Sequence, residues 1–228
     1  MSVRPILYYA LFSSPSRAAM LTSKLIGLNV DLKPINFAAQ EHMSDWFLKL
    51  NPRHTVPTLV DRDVSLCDSH AIITYMVDQY GQSQHKHLYP KDFIKRAIVD
   101  ERLYYENGVL FHVIKDFVNR IMRDGDIEYH RKSIELCHNA YEFLEAFLSR
   151  SRYVAGEQLS LADISINTTL ISLDKLVTVE EKRYAKICAW MQRMREELPG
   201  YEEINEKGAQ QLYLRFQTCL EENMTKHT

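Results

Sequence analysis

The stretch from residue 50 to residue 60, Leu-Asn-Pro-Arg-His-Thr-Val-Pro-Thr-Leu-Val, constrains the fold of this chain more than any other. Proline has no backbone N–H, so Pro57 is able to open a strand but not to lie inside one. The apolar residues after Pro57 predict that strand. If the Val56-Pro57 bond is cis, the N–H and C=O of Val56 face away from their own sheet, and an extended peptide can pair with them. A plain loop that leads into a strand is the alternative.

A short helix is predicted one hairpin later. A turn at residues 61–63 and a strand at residues 64–67 lead to Asp68 or Ser69, and either residue suits the N-cap of a helix that ends at Gly81. A helix N-terminus carries free N–H groups and a partial positive charge, which favour a carboxylate. The two features together predict a site for a short peptide that carries carboxylates.

These two motifs, Asn-Pro-Arg-His-Thr-Val-Pro-Thr-Leu from Asn51 and Asp-Ser-His-Ala-Ile from Asp68, resemble the glutathione-binding half of cytosolic glutathione transferases. The similarity is to the insect delta and epsilon types. The Ser-His-Ala-Ile form favours the epsilon class, and the Noppera-bo branch of insect transferases is a candidate for the nearest relatives of this chain. The resemblance extends over nearly the whole chain. It implies glutathione as co-substrate, no metal and a homodimer.

The resemblance also implies which residues bind glutathione. His54 and His42 match histidines that take the glycine carboxylate. At the γ-glutamyl end, Ser69 takes the carboxylate and Asp68 the ammonium group, while the role of His70 stays open. The full set of implied glutathione-binding residues is His42, His54, Val56, Pro57, Asp68, Ser69 and His70.

Three serines lie where the first strand meets the first helix. With Pro15 as the first helical residue, Ser14 is the expected N-cap, which leaves the Ser13 hydroxyl free to donate a hydrogen bond. Thioredoxin-like redox proteins carry Cys-x-x-Cys at this junction, and the absence of a thiol argues against a disulfide reductase. The family places a serine of a Ser-x-Pro-x-Arg motif against the glutathione sulfur, and Ser13 to Arg17 match that motif.

Ser13 is therefore the implied catalytic residue. One hydrogen bond to a charged partner contributes about 1.5–3 kcal/mol, enough to lower a thiol pKa from about 8.5 to near 7. A serine-rich loop that only caps the helix is the alternative.

The order of elements predicts two domains. Strands and helices follow one another as strand-helix-strand, helix, strand-strand-helix, which indicates an α/β thioredoxin-like domain at residues 1–81. Polar residues 82–92 are the predicted linker, and residues 93–228 show only helical patterns, which predict an all-α bundle with the hydrophobic substrate site. Its helices are predicted at residues 93–123, 129–150, 161–173, 183–198 and 209–223. Ser160 and Asp163 fit a capping box that serves folding.

The first long helix of the bundle has an unusually broad apolar arc. One stripe on it, with Leu11 and Phe12 from the first domain, is the expected pocket for an electrophile, and burial in the bundle or a dimer is the alternative. The helix residues of this stripe are Phe111, Ile114, Val118 and Met122. An apolar wall favours aryl halides or lipid-derived aldehydes, whereas a steroid hydroxyl opposite Ile114 would lack a partner.

Composition excludes several other classes. A net charge of -2 gives no electrostatic footprint for nucleic acid or an anionic membrane. No apolar run reaches the roughly 18–20 residues of a membrane span, and the N-terminus leaves no room for a signal peptide. The four cysteines are widely spaced, as expected for reduced thiols in the cytoplasm. We expect a detoxifying transferase that conjugates or dehydrochlorinates small hydrophobic electrophiles; a Noppera-bo-like role in steroid-hormone production and a non-catalytic ligand carrier are the alternatives.

Overall fold

The computed structural model describes residues 4–227. The first three residues, where the argument against a signal peptide starts, lie outside the described residues. The strands are β1 (Ile6–Tyr9), β2 (Asp31–Pro34), β3 (Thr58–Asp61) and β4 (Val64–Cys67). The helices are α1 (Ser14–Leu25), α2 (Asp45–Leu50), α3 (Ser69–Tyr80), α4 (Phe93–Tyr105), α5 (Phe111–Asn119), α6 (Arg131–Leu148), α7 (Leu161–Asp174), α8 (Ala185–Glu197) and α9 (Lys207–His227).

The strands form one mixed sheet in the order β2-β1-β3-β4, with β1 and β2 parallel and the other pairs antiparallel. Leu7 of β1 lies opposite Leu59 of β3, and both are fully buried on the face that packs against α3, which in turn packs against α1. Side chains alternate along a strand, so Tyr8 contacts Trp46 and Phe47 of α2 on the other face. This is the predicted α/β layer.

Strand β2 is shorter than predicted. In the sequence, the alternation of apolar and polar residues over residues 31–37 predicts a strand of that length, but the strand ends at Pro34 and Leu32 is 40% exposed. Among residues 4–227, β2 is an edge strand that pairs with β1 alone, and all four of its residues are exposed. Ile35, just beyond the strand, is the residue that reaches the core.

The second half is helical throughout, as predicted. The helical run predicted over residues 93–123 is confirmed, but it contains two π-helical turns, Glu106–Leu110 and Arg120–Asp124, one on each side of α5. Helix α7 lies at the centre of the second half. It is buried along almost its whole length and packs against α1, α4 and α8. The domain limits at residues 81 and 92 stay predictions.

The capping box at the start of α7 is confirmed. Asp163 Oδ2 accepts hydrogen bonds from the Ser160 backbone N at 2.9 Å and from Ser160 Oγ at 2.7 Å. Its other oxygen accepts from the Val154 backbone N and from Trp190 Nε1. Complete burial raises the pKa of Asp163 above its usual range. One carboxylate thus joins the preceding loop, α7 and α8.

Within residues 4–227, no helix combines the length and apolarity that crossing a bilayer requires. The four cysteines, Cys67, Cys137, Cys188 and Cys219, are all free thiols.

Candidate active site

A cleft of about 380 Å³ lies between the sheet layer and the helical half. Ten of the predicted site residues line it, namely Phe12, Ser13, Val56, Pro57, Asp68, Ser69, His70, Phe111, Ile114 and Val118. Four others, Leu11, His42, His54 and Met122, lie outside its lining. The fold therefore brings the two sequence motifs, the serine junction and the long helix to one place.

The serine junction corrects one prediction. The N-cap of α1 is Ser13, not Ser14: the helix begins at Ser14, and Ser13 Oγ accepts from the Ser16 backbone N at 3.4 Å. Ser14 is buried, and its Oγ lies 3.2 Å from Thr169 Oγ1 of α7. A serine hydroxyl has two acceptor lone pairs and one donor hydrogen. Capping uses only a lone pair, so the Ser13 O–H is still able to donate into the cleft.

The loop before β3 is held by a residue that the sequence argument missed. Asn51 is fully buried, and its Nδ2 donates to the Thr55 backbone O and to Thr58 Oγ1, both at 2.9 Å. Its Oδ1 accepts from the Arg53 backbone N at 3.0 Å. An asparagine that precedes a proline reads as a turn residue, and nothing in the sequence shows that its side chain anchors the whole loop.

The backbone of Val56 is presented to the cleft. The Val56-Pro57 peptide bond is cis. Among the described residues, neither the N–H nor the C=O of Val56 has a hydrogen-bond partner. Paired backbone groups are the rule in folded proteins. A residue that lines a cleft with both groups free is therefore able to pair with an extended peptide as an added strand does.

The N-terminus of α3 lies next to this backbone. Asp68 is the N-cap, and its Oδ1 accepts from the His70 backbone N at 3.0 Å. Its φ of 95° is unusual for a residue with a side chain and is typical of backbone held in place at functional sites. Ser69, the first residue of α3, is 9% exposed and lines the cleft. The site thus contains a carboxylate, a hydroxyl and free helical N–H groups within two residues.

Beneath this end of the cleft, His70 joins the two halves of the molecule. His70 Nε2 lies 2.9 Å from Glu106 Oε2 and 2.9 Å from Ser165 Oγ. The other oxygen of Glu106 accepts from Thr169 Oγ1 at 2.5 Å. Glu106 is buried at the start of a π-helical turn. The contact of Glu106 with the first domain was not predicted from the sequence, because only the fold brings His70 against it.

A second buried link supports the Ser13 loop. Arg17 is completely buried, and its Nη1 donates to the backbone carbonyls of Leu11 and Phe12 at 3.2 and 3.1 Å. Its other nitrogens donate to Asn205 Oδ1, Thr168 O and Ser172 Oγ. Burial lowers the pKa of Arg17 to about 9, so the side chain stays charged at neutral pH. The arginine therefore fixes the residues before Ser13 to α7 and to the segment before α9.

The two histidines predicted to bind the glycine carboxylate lie beside the cleft. Their ring centroids are 6.3 Å apart, and the ring of His42 stacks on Phe37 at 4.4 Å. His54 lies between Arg53 and Thr55, which both line the cleft, and is itself exposed. Burial, followed by the nearby His54, lowers the pKa of His42.

The far wall of the cleft corrects the predicted apolar stripe. Phe111, Ile114 and Val118 line it, but Met122 packs against the core and Arg123 takes the next place on the wall. The reason is the π-helical turn Arg120–Asp124, in which the i→i+5 bond adds one residue to the turn and shifts the stripe.

Leu11 is also displaced from its predicted place. It packs against the core beside Arg17, and Leu212 of α9 lines the cleft instead. Nor is the wall wholly apolar, because the polar residues Asn107, Lys115, Asn119 and Arg123 line it as well.

Fold and site define the class of protein: a thioredoxin-like layer joined to a helical bundle, with a peptide-sized cleft between them. Residues 7–84 match the family model of the glutathione S-transferase N-terminal domain, and residues 109–197 match that of the C-terminal domain. Glutathione S-transferase D7 of Anopheles gambiae is 34% identical over 220 residues, which is 96% of this chain and 99% of that protein.

Two solved structures are similar over almost their whole length. An epsilon-class glutathione S-transferase from the housefly, Musca domestica, has a TM-score of 0.91 at 38% identity, covering 95% of this chain and 98% of that one. A glutathione transferase homologue from Drosophila mojavensis, with bound glutathione, has a TM-score of 0.90 at 41% identity, covering 95% and 97%. The chain belongs to the glutathione S-transferase family, and it is an enzyme of that family.

Proposed function

We propose that this enzyme conjugates the thiolate of glutathione to small hydrophobic electrophiles. The observation that carries the proposal is the cleft in which the Ser13 hydroxyl, the unpaired backbone of Val56 and the N-terminus of α3 lie together. The homologue with bound glutathione supports the same co-substrate. These elements suit a tripeptide: backbone for its middle residue, and anion-binding groups for its ends.

In the proposed reaction, Ser13 stabilises the thiolate. Its O–H donates to the sulfur while its oxygen keeps the cap hydrogen bond to Ser16 N. A serine is too weak a base to take the thiol proton, so the proton leaves to solvent. With an aryl chloride, the C–S bond forms, the C–Cl bond breaks, and chloride leaves with the bonding electrons.

The other glutathione contacts are assigned by position. Val56 pairs through its backbone with the cysteinyl residue, and Pro57 shapes that edge. Asp68 takes the γ-glutamyl ammonium group and Ser69 its carboxylate. His54 and His42 lie on the side of the loop where the glycine carboxylate would reach solvent.

Turnover of a chlorodinitrobenzene with glutathione, together with calorimetric binding of glutathione, tests this proposal. We expect both binding and turnover. Binding without turnover of any electrophile would favour a carrier of hydrophobic ligands, and the absence of glutathione binding would refute the proposal.

We further propose an epsilon-like, detoxifying role over a role in steroid-hormone production. The housefly epsilon-class structure supports the class. At the wall position where an acidic residue would suit a steroid, the chain has Ile114, and Asp116 is bonded to Arg120 and Ser133 away from the cleft. We expect micromolar or weaker binding of an oestradiol-like steroid by competition calorimetry. A nanomolar complex would reverse this assignment.

A cytoplasmic homodimer completes the proposal. Four large apolar side chains of α4 are exposed, Phe93 at 89%, Ile94 at 76%, Tyr104 at 74% and Ile98 at 37%. At 100° per residue they cover an arc of about 140°, and a large exposed apolar patch marks an interface. Light scattering should give about twice the chain mass of 26.7 kDa. Ile94→Glu should produce monomers, whereas Lys95→Glu, next to it, should not.

A further inference from the structure

The end of the cleft that lies beyond the glutathione site carries positive charge. Lys115 and Arg123 line it from the α5 side. From α9, the guanidinium carbon of Arg215 lies 4.6 Å from the ring centroid of Phe12, which also lines the cleft. We call these three side chains, Lys115, Arg123 and Arg215, the cationic rim.

In the part of the chain from residue 4 to residue 227, no carboxylate lies within ion-pair distance of the cationic rim. Arg120, on the same helical run, differs: it lies 3.1 Å from Asp116 and 3.7 Å from Asp126. The positive charge of the rim is therefore available to a ligand.

The acidic residues of the cleft lie at the other end and are already engaged. Glu106 contacts His70 at 2.9 Å, and Asp68 accepts from the His70 backbone at 3.0 Å and lies 4.0 Å from Arg53. They do not neutralise the rim. The cleft is consequently polarised, with its carboxylates towards the glutathione site and unpaired cations towards the electrophile site.

The wall beside the two cations is partly apolar. Lys115 and Arg123 are eight positions apart in the sequence, or about 12 Å along a helix axis. Val118 and Asn119 line the wall between them, and Ile114 lies next to Lys115. Low-dielectric walls lined by one sign of charge concentrate the field on an ion of the opposite sign. An aromatic or aliphatic body with an anionic group matches this combination better than a wholly apolar molecule does.

We propose that the preferred electrophiles are hydrophobic molecules that carry an anionic group, such as a carboxylate, and that the cationic rim recognises that group. This inference rests on the proposed conjugation. The anionic group takes no part in the bond changes. With an aryl chloride, a bond forms between the thiolate sulfur and the ring carbon, and chloride leaves with the electrons of the broken C–Cl bond. The carboxylate stays ionised beside the rim.

A chlorodinitrobenzoate and its methyl ester test the proposal as a matched pair. For each, kcat/KM is divided by the rate constant of the uncatalysed reaction with glutathione, which removes the difference in intrinsic reactivity. We expect the acid-to-ester ratio to fall about tenfold in the Lys115→Gln/Arg123→Gln variant, because two of the three charges of the rim are lost. The preference for the acid should also weaken in salt, since the Debye length shortens from about 8 Å at 0.15 M to about 3 Å at 1 M.

Lys132→Gln is the control variant, since Lys132 is exposed at the start of α6 and does not line the cleft. It removes one positive charge and should leave the acid-to-ester ratio unchanged. An equal fall in the control would mean that net charge, not the rim, attracts the acid, and would overturn the proposal.

Two further outcomes would overturn it. One is an acid-to-ester ratio that is the same in the wild type and the double variant. The other is a rise in KM for glutathione that is equal with both electrophiles, because the cations would then serve glutathione. In either case conjugation of the ester would leave the proposed function standing.

If neither compound is conjugated and chlorodinitrobenzene is not turned over either, the proposed function fails, and calorimetry with the two synthetic glutathione S-conjugates decides the inference. Tighter binding of the carboxylate conjugate, lost in the double variant, would support the rim. Equal affinity, or no binding of either conjugate, would overturn it.

Discussion

Replacing Ser13 by alanine separates its two roles, because each has its own magnitude. As the N-cap of α1, Ser13 accepts one long hydrogen bond, 3.4 Å from Ser16 N. Losing an N-cap costs about 0.5–2 kcal/mol, and a bond this long should lie near the lower end. For a chain of this size, about 1 kcal/mol lowers Tm by about 2–4 °C. The stability loss should therefore be small.

The loss of thiolate stabilisation should be larger. A hydrogen bond to a charged sulfur contributes about 1.5–3 kcal/mol, which is about one to two units of thiol pKa. Near neutral pH the thiolate share of bound glutathione would then fall from about half to a few per cent. We expect kcat/KM to fall by about one to two orders of magnitude, with little change in the affinity for glutathione.

Titration of the ultraviolet absorbance of the thiolate in the enzyme complex measures this pKa directly. Ser16→Ala is the matched control, because its Oγ accepts from the Ala10 backbone N at 3.4 Å and does not line the cleft. The control should lose stability but keep the thiol pKa. If Ser13→Ala kept the wild-type pKa and turnover while Ser14→Ala lost both, Ser14 would be the donor and the reasoning would be refuted.

Three further substitutions test the supports of the site. Asp163→Ala leaves several buried donors unpaired and should lower Tm by about 10 °C, while the folded protein keeps its glutathione affinity; a stable but inactive variant would contradict a folding role. Glu106→Gln should lower the free energy of unfolding by about 1.5–3 kcal/mol. In a double-mutant cycle with His70→Gln, the two stability losses should not add; additive losses would mean that the two side chains do not interact. At Gly208, a Cβ would overlap the Leu11 carbonyl oxygen and Arg17 Cδ, so Gly208→Ala should destabilise by about 1–3 kcal/mol. Gly108→Ala, where a Cβ would meet no atom of residues 4–227 within 4 Å outside its own stretch of helix, should not destabilise the fold, and calorimetric unfolding of both variants checks the difference.

The sequence by itself determined the local elements and the two glutathione motifs. Prolines, caps and alternation depend on neighbouring residues, so Pro57 before β3, Asp68 before α3 and the Ser160–Asp163 box are readable in order along the chain. The same reasoning placed the Ser13 region, Val56 and Ser69 on elements that meet in the cleft. Element boundaries were predicted less accurately, because α1 begins one residue earlier than Pro15 suggested and β2, whose four residues are all exposed, already ends at Pro34.

Tertiary structure decided everything that depends on contacts between distant residues. The hydrogen bond from Arg17 to the Leu11 carbonyl, and the close approach of Gly208 to both residues, exist only because the fold brings α1 and α9 together. Glu106 becomes part of the site only because His70 is brought against it.

Because of the π-helical turn, Arg123 lines the cleft where Met122 was predicted. Helical periodicity does not predict such a turn, since the extra residue in it is fixed by packing. The positive charge of the electrophile site could not be predicted for the same reason. A lysine and an arginine on a long helix are expected to face solvent, and only the fold shows that they face the cleft and have no carboxylate partner among residues 4–227.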